Sequence, residues 1–196
     1  VIYIIAITAE AMTGALSAGR RSMDWFGVTL IACVTALGGG SVRDVLLGHY
    51  PLTWVKHPEY LVLTCCAAFV TIIIAKWMKH LRSVFLLLDA MGLIGFTIIG
   101  CQIALSMGHG FVVSAVAGVL TGVSGGILRD IMIGEVPAVF RSDFYGSVSI
   151  LVAVILYLID YFTVLDDLTI LIVFLAALGL RLLAFRMKWH LPRLKL

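Results

Sequence analysis

Seven stretches of mostly apolar residues divide the chain, and short polar segments separate them. Each stretch is about 20 residues long and continuously apolar, which favours membrane-spanning helices over the alternating pattern of barrel strands. A helix satisfies its own backbone hydrogen bonds, as the hydrocarbon interior of a membrane requires. The predicted spans are residues 1–18, 25–47, 60–78, 84–106, 110–133, 144–162 and 166–186.

The composition supports this interpretation. Hydrophobic residues make up 62% of the 196 positions and charged residues 13%, with a mean hydropathy of +1.12, whereas a soluble domain has about 25% charged residues. We therefore predict an all-α integral membrane protein with seven transmembrane helices. No connecting segment is long enough for a separate soluble domain, and the first stretch lacks signal-peptide features, so we expect it to be retained.

Basic residues concentrate on one side of the predicted membrane. Because lysine and arginine accumulate in cytoplasmic loops, they predict an N-terminus outside the cell and a cytoplasmic C-terminus. The basic tail around Trp189 is expected to lie along the inner headgroups and is a candidate site for anionic lipid. The cytoplasmic set is Arg20, Arg21, Lys76, Lys79, Arg82, Arg141, Arg186, Lys188, Arg193 and Lys195, against Lys56 on the other side.

The first six spans form two copies of one unit. With an offset of 86 residues and no gap, GGGSVRDVLLG at 38–48 aligns with SGGILRDIMIG at 124–134, and Pro51 with Pro137. Each copy has three spans, an odd number, so the second copy enters the membrane from the opposite side as an inverted repeat. The predicted parts are residues 1–82, residues 83–163, and a seventh helix with its tail over 164–196.

Adjacent glycines lie inside one span of each copy: Gly38, Gly39 and Gly40 in the second span, and Gly125 and Gly126 in the fifth. Glycine lowers helix propensity, so such a pair needs a structural reason. One reason is the close approach of a second backbone. The other is a bend with local unwinding beside a polar cavity. The charges nearby favour the bend, and we predict two kinked helices.

An arginine–aspartate pair follows the glycines in each copy, Arg43 with Asp44 and Arg129 with Asp130. A charge at membrane depth costs at least a few kcal/mol, so each group needs a partner or water. Neighbouring helical residues point about 100° apart, so we expect little pairing within each dipeptide. We predict that the second and fifth spans line a polar path with these charges at its constrictions. The alternative is a buried ion-pair network that ties the copies together.

Three further polar residues inside spans are candidates for lining or gating such a path: Glu10, Asp89 and Ser124. Acidic groups in a pore favour cations. Structural alternatives stay open for both acids, because Glu10 could bond a neighbouring threonine and Asp89 could cap a helix or meet Arg82. Permeant K⁺ or Na⁺ is the expected ligand, and no cofactor, metal site or nucleic-acid partner is predicted.

The chain closely resembles the prokaryotic branch of the TRIC family of trimeric intracellular cation channels. The resemblance rests on the doubled glycine–arginine–aspartate motif, the seven-span layout and the lead-in AEAMTGALSAGRRSMDWFG. This branch overlaps with proteins that carry a duplicated "glycine transporter" domain. The resemblance covers nearly the whole chain. It implies a prokaryotic inner-membrane homotrimer in which each subunit has its own pore for monovalent cations, mainly potassium, around kinked second and fifth spans. Ser124 in place of a third glycine, and Tyr3 at the position aligned with Asp89, depart from the family pattern.

Two other functions compete with a channel. An alternating-access carrier for a small amino acid fits an inverted repeat with broken helices equally well. An intramembrane serine hydrolase is suggested by GVSG at 122–125, but that chemistry needs a histidine near Ser124, and all five histidines lie in loops or at span ends. We therefore expect no enzymatic activity. The sequence also lacks a potassium-channel filter motif, so we expect weak discrimination between K⁺ and Na⁺.

Overall fold

The computed structural model describes residues 1–75, 81–141, 145–163 and 165–187, and these ranges form nine α-helices. Seven of them match the predicted spans, and two short helices, each following a repeated motif, were not predicted. In chain order the helices are α1 (Ile2–Gly19), α2 (Trp25–Leu47), α3 (Thr53–Lys56), α4 (Glu59–Ala75), α5 (Leu81–Ser106), α6 (Phe111–Met132), α7 (Ala138–Arg141), α8 (Tyr145–Phe162) and α9 (Asp167–Arg186).

Six helices in the described ranges are long and apolar enough to cross a membrane: α1, α2, α5, α6, α8 and α9. The described part of α4 is a shorter apolar helix of 17 residues. A helical membrane protein is therefore confirmed, while the count of seven spans stays a prediction. The end of the third predicted span at 78, with Lys76 and Lys79, lies outside the described residues, as does the basic tail with Lys188, Trp189, Arg193 and Lys195.

The ends of the motif-bearing helices are set by side-chain caps and glycines. Asp24 begins α2 by accepting a hydrogen bond from the Gly27 backbone N–H at 2.7 Å, which satisfies one free donor of the first turn. Gly48 ends α2 with φ 67°, and its repeat partner Gly134 follows α6 with φ 74°. Glycine adopts this left-handed conformation without a Cβ clash, which lets the chain turn sharply into α3 and α7.

Two three-helix groups make up the body of the protein. Helix α1 packs on α2 and α4, and α5 packs on α6 and α8, while α9 lies against α5 and α8. The groups meet where α2 packs on α6 and α1 packs on α5. The core is apolar and rich in alanine, which allows the helices to approach closely.

The packing inside one group repeats in the other. A Cβ added at Gly14 of α1 would lie 2.7 Å from the Ala32 Cα of α2. The equivalent Gly100 of α5 would place a Cβ 2.8 Å from the Gly118 Cα of α6. Both glycines are required because a neighbouring backbone occupies the space of a side chain, so the sequence repeat is also a repeat of helix contacts.

Candidate functional site

Helices α2 and α6 cross where the repeated glycines lie. The backbone at Gly39 contacts the Thr121 carbonyl oxygen, and the backbone at Gly125 contacts the Thr35 carbonyl oxygen, so the two contacts are equivalent under the repeat. Gly38 faces the Leu128 side chain, where a Cβ would come within 2.6 Å of Leu128 Cδ1. The glycines therefore serve the first of the two roles considered above, the close approach of two backbones.

The unwinding expected at these glycines does not occur. Both helices are continuous through Gly38, Gly39 and Gly40 and through Gly125 and Gly126. At Gly39 and Gly125 the crossing helix fills the space beside the backbone, and both helices keep their helical conformation there. The bend itself stays a prediction.

A buried polar cluster, here the Arg43 cluster, follows the crossing on α2. Arg43 donates from Nη2 and Nε to Asp44 Oδ1 at 2.6 and 3.0 Å, and His49 Nδ1 lies 2.9 Å from the same oxygen. The other carboxylate oxygen accepts from the Thr53 backbone N–H at 2.7 Å and the Thr53 hydroxyl at 2.8 Å. Both oxygens of Asp44 are thus occupied, which joins the end of α2 to the start of α3.

The equivalent cluster on α6, here the Arg129 cluster, recruits partners from other helices. Arg129 Nε donates to Asp130 Oδ1 at 2.9 Å, and Nη1 donates to Asp89 Oδ1 on α5 at 3.1 Å. Asp89 Oδ1 also accepts from the Tyr145 hydroxyl of α8 at 3.3 Å. Asp130 Oδ2 accepts from the Ala138 backbone N–H at 2.8 Å, as Asp44 does from Thr53.

Helix α1 supplies a third acid to the Arg129 cluster. Glu10 Oε2 lies 4.0 Å from Arg129 Nη1, and the Thr13 hydroxyl stands between them, 3.0 Å from Glu10 Oε2 and 3.1 Å from Arg129 Nη1. Glu10 therefore makes the threonine contact that was one of its alternatives, and it also belongs to the cluster. Asp89 accepts hydrogen bonds from Arg129 and Tyr145. These partners differ from the two alternatives given for Asp89, a helix cap and a pair with Arg82.

Pairing within each Arg–Asp dipeptide corrects our expectation. Neighbouring side chains leave a helix about 100° apart, but the long arginine side chain curls back far enough to reach the aspartate beside it. The carboxylate is in turn held in place by a backbone N–H of the following short helix. Each charge is therefore neutralised locally, as an ionised group at membrane depth requires.

The four motif charges are also more enclosed than expected. Arg43 is 1% exposed, Asp44 0%, Arg129 1% and Asp130 6%. In this conformation their partner groups enclose the four charges, and the polar path predicted along the two helices stays a prediction. The geometry matches a buried ion-pair network at each end of the crossing. Ser124 is also buried, directly before Gly125.

The Arg129 cluster nevertheless adjoins a cavity of about 290 Å³. Arg129 and Asp130 form its floor, and Arg20 and Glu135 belong to its wall. At the rim, Glu135 Oε1 pairs with Arg21 Nη2 at 2.7 Å, and both side chains are about half exposed. Polar and charged groups therefore lead from the surface at the end of α1 down to the buried charges.

The two clusters lie on opposite sides of the glycine crossing. Arg43 and Arg129 each follow the crossing glycine by four residues, which is about 6 Å along a helix. The contacts of Gly39 with Thr121 and of Gly125 with Thr35 make α2 and α6 antiparallel and place the two glycines about 6 Å apart along the helices, so the arginines are separated by about 18 Å along the helix direction. One chain thus holds two buried charge clusters in series along one pair of helices.

Several members of the site were not predicted: Thr13, His49, Thr53 and Tyr145. One signal for Thr53 is present in the repeat, because a glycine and a proline follow the Arg–Asp pair at the same spacing in both copies. That spacing predicts a turn and a new helix whose first N–H groups can bind the aspartate. Thr13 and Tyr145 lie far away in sequence, and nothing local marks them.

Among the described residues, no group of three or more His, Cys, Asp or Glu side chains is arranged to hold a metal ion.

Comparison with known proteins gives a consistent family. The family model described as glycine transporter matches the chain twice, over residues 1–76 and 86–161. The UPF0126 inner membrane protein YadS of Escherichia coli K12 is 36% identical over 190 residues, covering 96% of this chain and 91% of the relative. A UPF0126 membrane protein of Vibrio cholerae is 39% identical over 142 residues, covering 72% of this chain and 59% of the relative.

Solved structures share the whole fold. The TRIC trimeric intracellular cation channel orthologue from Rhodobacter sphaeroides matches with a TM-score of 0.90 and 34% identity over 96% of this chain and 97% of that one. A structure that provides a basis for conductance through TRIC cation channels matches with a TM-score of 0.90 and 32% identity, covering 100% of this chain and 96% of that one.

These observations define a helical membrane protein built from two copies of one unit, with a buried arginine–aspartate cluster in each copy. The chain belongs to the glycine transporter family, and its predicted resemblance to the TRIC family is confirmed.

Proposed function

We propose that this chain is a channel for monovalent cations, including K⁺, with a pore in each subunit of a homotrimer. The structures it resembles over nearly its whole length are described as TRIC cation channels and, in one case, as trimeric. The observation that carries the proposal is the serial arrangement of two buried Arg–Asp clusters on either side of the α2–α6 crossing within one subunit.

The proposed ion path follows α2 and α6, and the conformation described is closed. Arg43, Asp44, Arg129 and Asp130 form the two closures, and Glu10, Asp89 and Ser124 lie along the Arg129 half. An open path requires each arginine to leave its carboxylate and α2 and α6 to separate or bend at the glycines. The cavity above Arg129 is the vestibule of this path.

Cation preference is supported by the acidic groups of the Arg129 cluster. Glu10, Asp89 and Asp130 surround the Arg129 guanidinium, and the buried Arg181 of α9 also interacts electrostatically with Asp89. Acidic groups beside an ion path raise the local concentration of cations and disfavour anions. Since the sequence lacks a ring of filter carbonyls, we expect K⁺ and Na⁺ to permeate with little discrimination.

We place the channel in a prokaryotic inner membrane with the N-terminus outside and the C-terminus in the cytoplasm. Arg20 and Arg21 at the end of α1 then lie inside, together with the vestibule. The E. coli relative is described as an inner membrane protein, which agrees with this placement.

Recording from purified protein in planar bilayers tests the proposal. Wild type should show discrete unitary K⁺ currents. Asp44→Asn and Asp130→Asn should each raise the open probability about fivefold, because hydrogen bonds to a charged group exceed neutral ones by about 1 kcal/mol. Asp160→Asn, which changes an exposed aspartate outside both clusters, is the matched control and should behave as wild type. Absence of unitary currents from folded wild-type protein would contradict a channel.

A carrier for a small amino acid is the second candidate, supported by the description of the matching family as glycine transporter and by the closure of the path at both ends. A carrier predicts saturable glycine uptake into vesicles, coupled to a proton or sodium gradient, without unitary currents. The same purified protein therefore decides between the two functions.

A further inference from the structure

His49 connects the buried Arg43 cluster to solvent. It directly follows Gly48, which ends α2, and its Nδ1 lies 2.9 Å from Asp44 Oδ1. The His49 side chain is 37% exposed, whereas the Asp44 side chain is 0% exposed. The imidazole is thus a group of the closed cluster that the solution on that side can reach.

The hydrogen bond determines where a proton would bind. An ionised carboxylate only accepts hydrogen bonds, so Nδ1 of His49 carries the hydrogen and donates to Asp44. Nε2 is then the nitrogen that takes up a second proton. Histidine is the side chain that most often serves as a pH sensor near neutrality.

We propose that His49 is a proton-binding site that latches the Arg43 cluster closed when the solution on its side becomes acidic. The inference rests on the proposed channel function, whose regulation it names. A protonated imidazole donates a charge-assisted hydrogen bond to Asp44, which is stronger than the bond from the neutral ring. Because this bond needs the closed position of Asp44, the closed state holds the proton more tightly, and acid shifts the population towards it.

The charged and titratable groups around His49 are consistent with a shift towards the closed state in acid. Arg43 is the cation that opposes a charge on His49, but the Asp44 carboxylate contacts both groups and lies between them. Tyr3 of α1 interacts electrostatically with Arg43 and Asp44, and tyrosine ordinarily ionises near pH 10, far above neutrality. Lys56 on α3 is a further cation on this side, and its side chain is exposed.

The second copy lacks this device. The residue equivalent to His49 is Glu135, and both make the same backbone bond, from His49 N to the Asp44 carbonyl and from Glu135 N to the Asp130 carbonyl, at 2.8 Å each. The Glu135 side chain, however, turns to Arg21 at the surface. The proposed latch is therefore confined to one end of the path. The open probability should then depend on the pH on the His49 side of the membrane and not on the pH on the other side.

Bilayer recordings with the pH changed on one side at a time test the latch. On the His49 side, acidification from about pH 8 to about pH 5 should lower the open probability of wild type at least fivefold, the lower end of common couplings. His49→Gln, which keeps a side-chain donor but cannot gain charge, should remove this response. His57→Gln is the matched control, since His57 pairs with the exposed Glu59 at 3.0 Å and should leave the response intact.

Two results would overturn the latch. One is a pH response that survives in His49→Gln. The other is a response confined to the unitary current with an unchanged open probability, which would mean that a positive charge merely repels ions at the entrance.

A second measurement does not need currents. In protein with isotope-labelled histidine, NMR should show the His49 ring titrating at lower pH in Asp44→Asn than in wild type, because the variant lacks the carboxylate that stabilises the charged ring. An unchanged titration would contradict the latch. If the folded wild type conducts no ions, the channel proposal fails, while the titration still decides whether His49 and Asp44 are coupled.

Discussion

Arg129 shows how a permanently charged side chain is accommodated among apolar helices. Its guanidinium donates to Asp89, Asp130 and Thr13 at 2.9 to 3.1 Å, and its Cζ lies 5.0 Å from the centre of the Phe85 ring. Such a group is tolerated because nearly all of its hydration is replaced by fixed partners. In the proposed channel the same partners would have to separate before an ion could pass, so stability and closure would depend on one set of contacts.

Removing the guanidinium should therefore destabilise the protein strongly. Arg129→Met leaves three buried carboxylates without their cation, and breaking a buried pair in this way costs about 3–5 kcal/mol. The measurement is the free energy of unfolding in detergent or lipid. Arg21→Met is the matched control, because its pair with Glu135 is about half exposed and exposed pairs contribute about 0–1 kcal/mol. Equal losses in the two variants would contradict the structural role of the Arg129 cluster.

At this scale the sequence identifies which charges matter but not how they pair. Glu10, Asp89 and the two Arg–Asp motifs are recognisable because ionised groups are rare and costly inside apolar helices. Their partners depend on side-chain reach and on contacts between helices far apart in the chain, as for Thr13 with Arg129. Neither is encoded in local spacing, which is why the pairing of Arg43 with Asp44 contradicts an argument from helical angles.

At the scale of helices, the α2–α6 crossing depends on the absence of side chains. Gly39 and Gly125 each place their backbone against a carbonyl oxygen of the other helix, at Thr121 and Thr35. A helix pair this close gains extensive van der Waals contact without a large apolar side chain. In the proposed channel this close contact would make the crossing part of the closed state.

A methyl group at the crossing should be poorly tolerated. Gly39→Ala and Gly125→Ala each push a Cβ into a backbone carbonyl, and overpacking of this kind costs about 1–3 kcal/mol. Gly179→Ala in α9 is the control, since no atom lies within 4 Å of a Cβ there, and it should stabilise the helix by about 0.5–1 kcal/mol. Thermal unfolding of the three variants measures the difference. Wild-type stability in both crossing variants would show that the helices are farther apart than described.

The long helices were predictable because each is a long apolar stretch bounded by polar or glycine residues, and the observed ends of α1, α2, α6 and α9 differ from the predicted ones by at most one residue. The helices α3 and α7 have four residues each and carry no periodic signal of their own. They form because a glycine turn redirects the chain and because Asp44 and Asp130 bind their first N–H groups.

At the scale of the whole molecule, the two copies share a backbone plan but differ in their chemistry. Both have the glycine contacts, the Arg–Asp pair and the short helix that follows. The second copy adds Asp89 from α5, where the first has Tyr3, and Glu10 comes to it from α1. The two clusters therefore differ in charge, so in the proposed channel the two ends of the path can respond to different conditions while the fold stays pseudosymmetric.

If the repeat is inverted, loop positions 86 residues apart in the sequence face opposite sides of the membrane. Tyr50 and Val136 are such a pair, and they are 64% and 57% exposed. We expect a membrane-impermeant maleimide to label Tyr50→Cys in intact cells and Val136→Cys after permeabilisation alone, in a background where Cys33, Cys65, Cys66 and Cys101 are replaced. Labelling of both positions from one side would contradict the inversion, and with it a path closed by equivalent clusters at opposite faces. Opposite labelling would place His49 outside and the Arg21–Glu135 rim inside, which is the orientation that a sided proton latch requires.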